Sequence, residues 1–292
     1  MATLEHLPAD GGELRVQWSK TVPFAILHLG CLGVFWVGWS RSALVFCLLN
    51  YLLRMFAITA GYHRYFSHRS FKTSRPFQFA LAWIGATAAQ LGPLWWAAHH
   101  RDHHRHSDTE KDAHPPGLRG FVWSHMGWVF CPRYALTHYE RVKDLARFPE
   151  LLFVEKNWLL PPALLALTTF VVGGAQALVW GFIISTVLLY HATFSINSMA
   201  HLYGTRRYDT GDDSRNNFWL ALLTLGEGWH NNHHKYPTSE RQGIYWWELD
   251  MTHYGLTVLS WMGLVWDLRG PALPGKRRLS LPMGGEDDTQ RT

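Results

Sequence analysis

Four long apolar stretches limit the folds open to this 292-residue chain. A helix needs about 20 predominantly apolar residues to cross the hydrocarbon core of a bilayer. The stretches reach or approach that length and form two pairs with very short turns, 22–39 with 43–61 and 158–174 with 177–196. We therefore expect an all-α integral membrane protein with four transmembrane helices in two hairpins. Buried helices of a large soluble protein are the alternative to this interpretation.

A fifth apolar stretch, 77–98, decides the topology. With 22 residues it is long enough to span the membrane, which would place the histidines on either side of it in different compartments. Gln78 and Gln90 favour a position along the interface instead, and the short run 255–266 is expected to lie there too. The chain then forms one domain, 1–292, with a helical cap (62–157 and 197–275) and a polar tail (276–292).

The distribution of lysine and arginine predicts the orientation. The turns at 40–42 and 175–176 carry one arginine between them, whereas 64–156 and the C-terminal third are rich in basic residues. By the positive-inside rule, the termini and the cap face the cytosol. The net charge of +5 comes without a long basic run, so we expect a bilayer and an anionic substrate as partners and no nucleic acid. Arg54, inside the second stretch, is expected to face the protein interior and to pair.

Nine of the 18 histidines follow a pattern. The segments HRDHH and HNNHH place histidines at i, i+3 and i+4, within about 100° on one face of a helix. NSMAH pairs an asparagine with a histidine at i and i+4, and HRYFSH has two histidines five positions apart, where we expect the helix to fray or turn. The set is His63, His68, His100, His103, His104, Asn197, His201, His230, His233 and His234. We expect the other nine histidines to be ordinary core, interface or surface residues.

The number and type of these side chains indicate two metals. One metal with an open position needs about three to five protein ligands, and all-nitrogen ligation permits zinc, copper, nickel or iron. Two irons that activate dioxygen fit best, because oxidation of an unactivated C–H bond needs chemistry that side chains do not supply. Few acids accompany the histidines: Asp102 points away from the histidine face, while Glu227 is a candidate for holding a ring N–H.

With these motifs in place, the chain resembles the membrane fatty acid desaturases, specifically the acyl-CoA delta-9 (stearoyl-CoA type) branch in its compact bacterial form. The likeness is carried by ITAGYHRYFSHRSFK, HRDHHRHSDTEKDAHPP, NSMAH and GEGWHNNHHKYP, and it extends from about residue 20 to residue 260. The resemblance implies a di-iron centre held by the nine histidines, with Asn197 on a metal-bound water, and a narrow hydrophobic tunnel. It also implies that dioxygen and two electrons are consumed as a cis double bond forms in a saturated acyl chain, on CoA, a carrier protein or a lipid.

The resemblance implies partners and a location as well. Family members bind the substrate head group on a basic cytosolic surface, to which we expect Arg64, Lys72, Arg75, Arg101 and Arg241 to contribute. No His-Pro-Gly-Gly haem motif occurs, so we expect a separate electron donor of the ferredoxin, rubredoxin or cytochrome type. The absence of a visible targeting signal or extra domain favours a bacterial inner membrane.

Two alternatives stay open at this point. Another membrane di-iron oxygenase, a hydroxylase or ketolase acting on an alkane, sterol or carotenoid, would share histidine-rich motifs, and GEGWHNNHH with NSMAH favours the desaturase. A metal transporter would need polar residues along the middle of the apolar helices, where Asn50, Arg54 and a few hydroxyl groups are found.

Overall fold

Helices account for most of the computed structural model, which describes residues 15–272. The predicted polar tail, 276–292, lies outside the described residues. The main helices are α1 (Trp18–Gly30), α2 (Arg41–Phe56), α3 (Arg75–Ala86), α4 (Pro93–His106), α5 (Pro149–Lys156), α6 (Leu160–Ala177), α7 (Ser185–Ser198), α8 (Phe218–Leu223), α9 (His230–Lys235) and α10 (Met251–Trp261). Shorter helical turns cover Cys31–Gly33, Val34–Val37, Pro116–Arg119, Phe121–His125, Gly127–Phe130, Pro132–Tyr134, Tyr139–Arg141, Lys143–Ala146 and Met199–His201.

Two features go beyond the expected all-α fold. Two short strands, β1 (Lys72–Thr73) and β2 (Val265–Trp266), pair in antiparallel fashion, with Lys72 opposite Trp266. Two π-helical segments, Ala57–Ser67 and Leu178–Ile184, continue α2 and lead into α7. Such π-helical turns are frequent at functional sites.

Two continuous helical stretches are long and apolar enough to cross a membrane, residues 41–67 and 160–201. The second contains a break at Gly173 and Gly174, where φ of Gly174 is +64°, so it consists of two apolar arms joined close to the predicted turn. The predicted first span corresponds to a shorter apolar helix, Thr21–Val37. Two candidate membrane helices are thus present in the described residues, and the four-span topology remains a prediction.

Arg54 joins the two long helical stretches from the inside. Its guanidinium is 1% exposed and donates hydrogen bonds to the hydroxyl groups of Ser185, at 2.5 Å, and Thr186, at 2.6 Å. This agrees with the expectation that a charge at this depth faces the protein and is paired.

The fifth apolar stretch does not form one helix. α3 ends at Ala86 and α4 begins at Pro93, and the turn between them includes Ala89 and Leu91 at φ of +55° and +65°. With 12 and 14 residues, each helix is shorter than a bilayer requires. The break is consistent with the predicted interfacial position and leaves α4 free to carry its histidines toward the other motifs.

Candidate metal centre

The first histidine triplet lies on the last turns of α4, and the start of that helix is fixed from a distance. Glu155 of α5 accepts hydrogen bonds from the backbone N–H groups of Leu94 (2.9 Å) and Trp95 (3.2 Å), which have no partner within the helix. Burial raises the pKa of this carboxyl group. Glu155 therefore helps to set the position of His100, His103 and His104.

The π-helical segment corrects one expectation about HRYFSH. We expected the helix to fray or turn between His63 and His68. Instead the segment stays helical through Ser67, and the N–H of His68 donates a hydrogen bond to the carbonyl of His63 at 3.2 Å. In a π-helix, positions i and i+5 are the hydrogen-bonded neighbours. The two imidazoles consequently lie close together, with ring centroids 4.9 Å apart.

The second triplet lies on α9, which follows the Gly-Glu-Gly turn. Gly226 has a φ of +123°, and a Cβ atom there would overlap the carboxylate of Asp250, so the position requires glycine. The two asparagines of HNNHH are buried and hold the helix in place: Asn231 accepts from the backbone N–H groups of Arg207 and Tyr208, each at 2.8 Å, and Asn232 accepts from Asn216 at 2.8 Å.

The nine histidines meet in two groups, which we call cluster A and cluster B. Within each group the candidate ligand atoms all lie within 4.8 Å of one another. Cluster A consists of His63, His68, His100, His104 and His233, and cluster B of His103, His201, His230 and His234. Each triplet is therefore divided, because α4 and α9 both contribute to both clusters.

In cluster A the Nε2 atoms face one another around a common centre. The Nε2 of His233 lies 3.0 Å from that of His63 and 2.8 Å from that of His104, and His100 lies 3.0 Å from His104 and 2.8 Å from His68. In cluster B, the Nε2 of His230 lies 3.0 Å from those of both His201 and His234.

In four of these histidines the other ring nitrogen, Nδ1, contacts a carboxylate. The Nδ1 of His103 lies 3.0 Å from Asp112, that of His201 lies 2.8 Å from Asp108, and that of His234 lies 2.7 Å from Asp212. The Nδ1 of His63 is paired with Glu227, as we expected for that glutamate.

This arrangement fits bound cations. A carboxylate accepts hydrogen bonds, so the Nδ1 atoms beside it carry the protons, and in the neutral form of each of these four rings the Nε2 atom presents a lone pair. Lone pairs that converge at about 3 Å have too few hydrogen-bond donors between them. A positive ion at each centre would bind these lone pairs in place of the missing donors. All-imidazole ligands suit iron, zinc, copper and nickel.

Burial keeps most of the cluster histidines neutral. Burial, reinforced by neighbouring imidazoles, holds the pKa of His100, His104, His230 and His233 well below its usual range. Burial likewise lowers the pKa of His234 to about 4. His103 differs: burial lowers its pKa, but the charge of Asp112 outweighs that effect and leaves the pKa raised. Neutral imidazole is the form that binds a metal ion.

Asn197 lies beside the clusters and lines two adjoining cavities. The first cavity is walled by Met55 and Ile58 together with histidines of both clusters, and the second by aromatic side chains that include Trp95 and Trp128. The two cavities have four lining residues in common, Trp96, His100, Thr193 and Asn197. An apolar chain that passes from one to the other would cross the face of the histidine clusters.

The predicted head-group residues differ in their surroundings. Arg64 is 1% exposed and is held by Glu227 and Asp250, both at 2.9 Å, so its assignment to the surface is wrong. The reason is that it lies in the π-helical segment, where every side chain is buried.

The other four basic residues are engaged by neighbouring groups. Lys72 and Arg75 are exposed and form ion pairs with Asp267 at 2.6 Å and Glu150 at 2.8 Å. Arg101 is mostly buried and pairs with Asp144 at 2.8 Å, and Arg241 is bonded to the carbonyl of Gly243.

Three acids that contact the clustered histidines were not predicted from the sequence. Asp108, Asp112 and Asp212 hold ring nitrogens of cluster B, whereas Asp102, as expected, points away and pairs with Arg141 at 2.9 Å. Asp108 and Asp112 could have been recognised from their position in the sequence, because they follow the HRDHH triplet closely in HSDTEKD. Asp212 lies in DTGDDS, between two motifs, where nothing distinguishes it from a solvated loop acid.

Comparison with known proteins identifies relatives over most of the chain. The family model described as fatty acid desaturase matches residues 39–259. The sn-2 palmitoyl-lipid 9-desaturase of Nostoc sp. (strain 36) is 38% identical over 88% of this chain and 92% of its own length. The sn-1 stearoyl-lipid 9-desaturase of Anabaena variabilis is 38% identical over 87% and 94%. An acyl-CoA 5-desaturase of Anemone leveillei is 39% identical over 90% and 84%.

Proposed function

The chain belongs to the fatty acid desaturase family, as its motifs indicated, and we propose that it forms a cis double bond in a saturated fatty acyl chain at a di-iron centre. The family makes it an oxidoreductase that acts on fatty acyl chains. The proposal of two irons rests on one observation above all: nine imidazoles from four segments converge in two clusters beside an apolar cavity.

Iron bound at the two clusters would supply the activation of dioxygen that removal of two unactivated hydrogens requires. The chain's own residues set the conditions for that chemistry. Asp112, Asp108 and Asp212 hold the Nδ1–H groups of cluster B and thereby aim the Nε2 lone pairs at one point. Glu227 does the same for His63, and Arg64 keeps the glutamate in place. Asn197 is proposed to hold a metal-bound water, since it lines the cavity that histidines of both clusters also line.

The two adjoining cavities support a bent path for the acyl chain. Met55, Ile58 and Trp96 provide apolar walls that would exclude bulk water and hold a methylene pair against the clusters. Gln90 and Thr193 both line the second cavity, and Gln90 donates a hydrogen bond to Thr193 at 3.1 Å. Such fixed walls would select one C–C bond by its distance from the end of the chain.

We propose position nine for the double bond, following two of the relatives, whose names specify 9-desaturases. Acyl-CoA was the substrate we expected. The relatives include both acyl-lipid and acyl-CoA enzymes, so the head group is a matter for direct measurement.

The membrane arrangement and the partners complete the proposal. Four transmembrane helices in two hairpins would carry a cytosolic cap, in a bacterial inner membrane, with the clusters on the cytosolic side. The apolar helices and the apolar surface of α6, where Val172 is 79% exposed, support contact with lipid. A separate protein of the ferredoxin, rubredoxin or cytochrome type would deliver the two electrons.

Lipid analysis of a host that lacks unsaturated fatty acids tests this function. Expression of the chain should produce cis monounsaturated acyl chains, with the position of the double bond at carbon nine. Supplying labelled acyl-CoA or labelled acyl-lipid to membranes then separates the two head-group classes. A hydroxyl or keto group retained in the product would instead favour the alternative, a membrane di-iron hydroxylase or ketolase.

A further inference from the structure

Carboxylates are distributed unequally between the two clusters. In cluster B, three of the four histidines have an aspartate on Nδ1, at 2.7 to 3.0 Å. In cluster A, one of the five, His63, has such a partner, which is Glu227. Each cluster also has one histidine whose Nδ1 is buried without a hydrogen-bond partner, His233 in cluster A and His230 in cluster B.

The charges of these acids also differ in how they are balanced. Arg64 lies 2.9 Å from Glu227, so a fixed cation compensates the acid of cluster A. Within residues 15–272, the ion pairs of Asp108, Asp112 and Asp212 are formed with histidines. These aspartates are at most 10% exposed, so water screens their charge weakly.

Both differences favour tighter metal binding in cluster B than in cluster A. A carboxylate on Nδ1 fixes the ring and makes its Nε2 a better donor, and loss of such a partner typically costs about 10- to 100-fold in metal affinity. Carboxylate charge that forms no ion pair with an arginine or lysine in the described residues adds attraction to a nearby divalent cation. Cluster A has one more imidazole, but four of its five rings lack a carboxylate partner in the described residues.

We propose that the two clusters hold metal unequally, with cluster B binding a divalent ion at least about ten-fold more tightly than cluster A. This inference rests on the proposed metal centre and assigns a role to its aspartates. A chain with a single bound ion then carries it in cluster B, and cluster A is filled second and emptied first.

Titration of the purified, metal-free full-length protein with Co²⁺ against a competing chelator tests this order. The neighbouring residues His233 and His234 provide a matched pair of variants, because each removes one imidazole of α9 from a different cluster. Wild type should bind two ions, the first at least about ten-fold more tightly. His233→Ala should keep the tight ion, and His234→Ala should lose it. Equal affinities in wild type, or the reverse behaviour of the two variants, would overturn the inference.

A second pair of variants tests the aspartates themselves. Asp212→Asn keeps the Oδ1 contacts to Thr210 and Ser214 but removes the charge, and it should weaken the tight ion by about 10- to 100-fold without changing the weak one. Glu227→Gln should instead weaken the affinity for the second, weakly bound ion. A change in that affinity caused by Asp212→Asn would contradict the assignment of the tight ion to cluster B. Circular dichroism checks that both variants fold. If either of them does not fold, the His233 and His234 variants decide which cluster binds metal more tightly. Fewer than two Co²⁺ ions in wild type would overturn the metal centre itself, which distinguishes that failure from equal affinities.

Discussion

The Nε2 atoms of His201 and His230 lie 3.0 Å apart, although the residues come from the end of one long helical stretch and the start of α9. The Nδ1 of His201 faces Asp108 at 2.8 Å, so its Nε2 presents a lone pair to His230. The fold thus brings metal-binding nitrogen atoms from separate segments to one point. The predictions below follow from this relationship.

His233→Ala should abolish desaturation and leave membrane insertion intact. His233 contributes a nitrogen to cluster A and lies between His63 and His104, so its loss opens the first coordination sphere without removing a core packing residue. Lipid analysis of the expressing host measures the activity, and membrane fractionation measures insertion. His138→Ala is the control, because His138 lies outside both clusters. Normal desaturation by the His233 variant would refute the assignment of this residue.

Asn197→Ala should slow turnover and leave two metal ions bound. The proposed role of Asn197 is mediated by water, and a water molecule can remain when the amide is lost. The measurement combines turnover with elemental analysis of the purified variant. If the variant lacks one complete equivalent of metal, Asn197 is a direct ligand and the water-mediated role is wrong.

Reporters at residues 41 and 115 should lie on opposite sides of the membrane. Residue 41 starts α2 at the far end from the π-helical segment, and residue 115 follows the segment that supplies Asp112. A reporter enzyme inserted at each position, active on one side of the membrane only, shows the side of each. The same side for both reporters would break the two-hairpin topology.

Glu155→Gln should change how stability depends on pH. Burial raises the pKa of Glu155 above its ordinary value of 4.5, so the folded protein holds this proton more tightly than the unfolded chain. The contribution is present at low pH and is lost as pH rises from 4.5 through the folded pKa. The free energy of unfolding of wild type relative to Glu155→Gln should therefore fall across that window. Thermal or denaturant unfolding in detergent at several pH values measures it, and a relative stability that rises with pH would contradict the burial effect.

The histidine pattern could be predicted because its physical basis is local. The i, i+3, i+4 spacing fixes one face of a helix, and α4 and α9 do carry their triplets on helices. The interfacial position of 77–98 was predicted from Gln78 and Gln90, but its interruption between α3 and α4 was not. The membership of the desaturase family followed from the motifs and their order.

Other features depend on contacts that no local pattern specifies. The division of each triplet between two clusters depends on how four separate segments meet, and the carboxylates beside His63, His201 and His234 lie at least 22 positions away from them in the sequence. A π-helical segment, which the sequence did not predict, brings His63 and His68 together where we expected the helix to fray or turn. Arg64 is buried because every residue of that segment is buried. An arginine beside a histidine motif looks the same in the sequence whether it is exposed or buried.

The metal content of the purified, active, iron-loaded protein tests the central claim most directly. Elemental analysis combined with X-ray absorption spectroscopy reports the number of ions per chain and the atoms around them. We predict two iron ions per chain, each surrounded mainly by imidazole nitrogen. An active preparation that holds fewer than two transition-metal ions per chain, or whose ions lack imidazole ligands, would contradict the account.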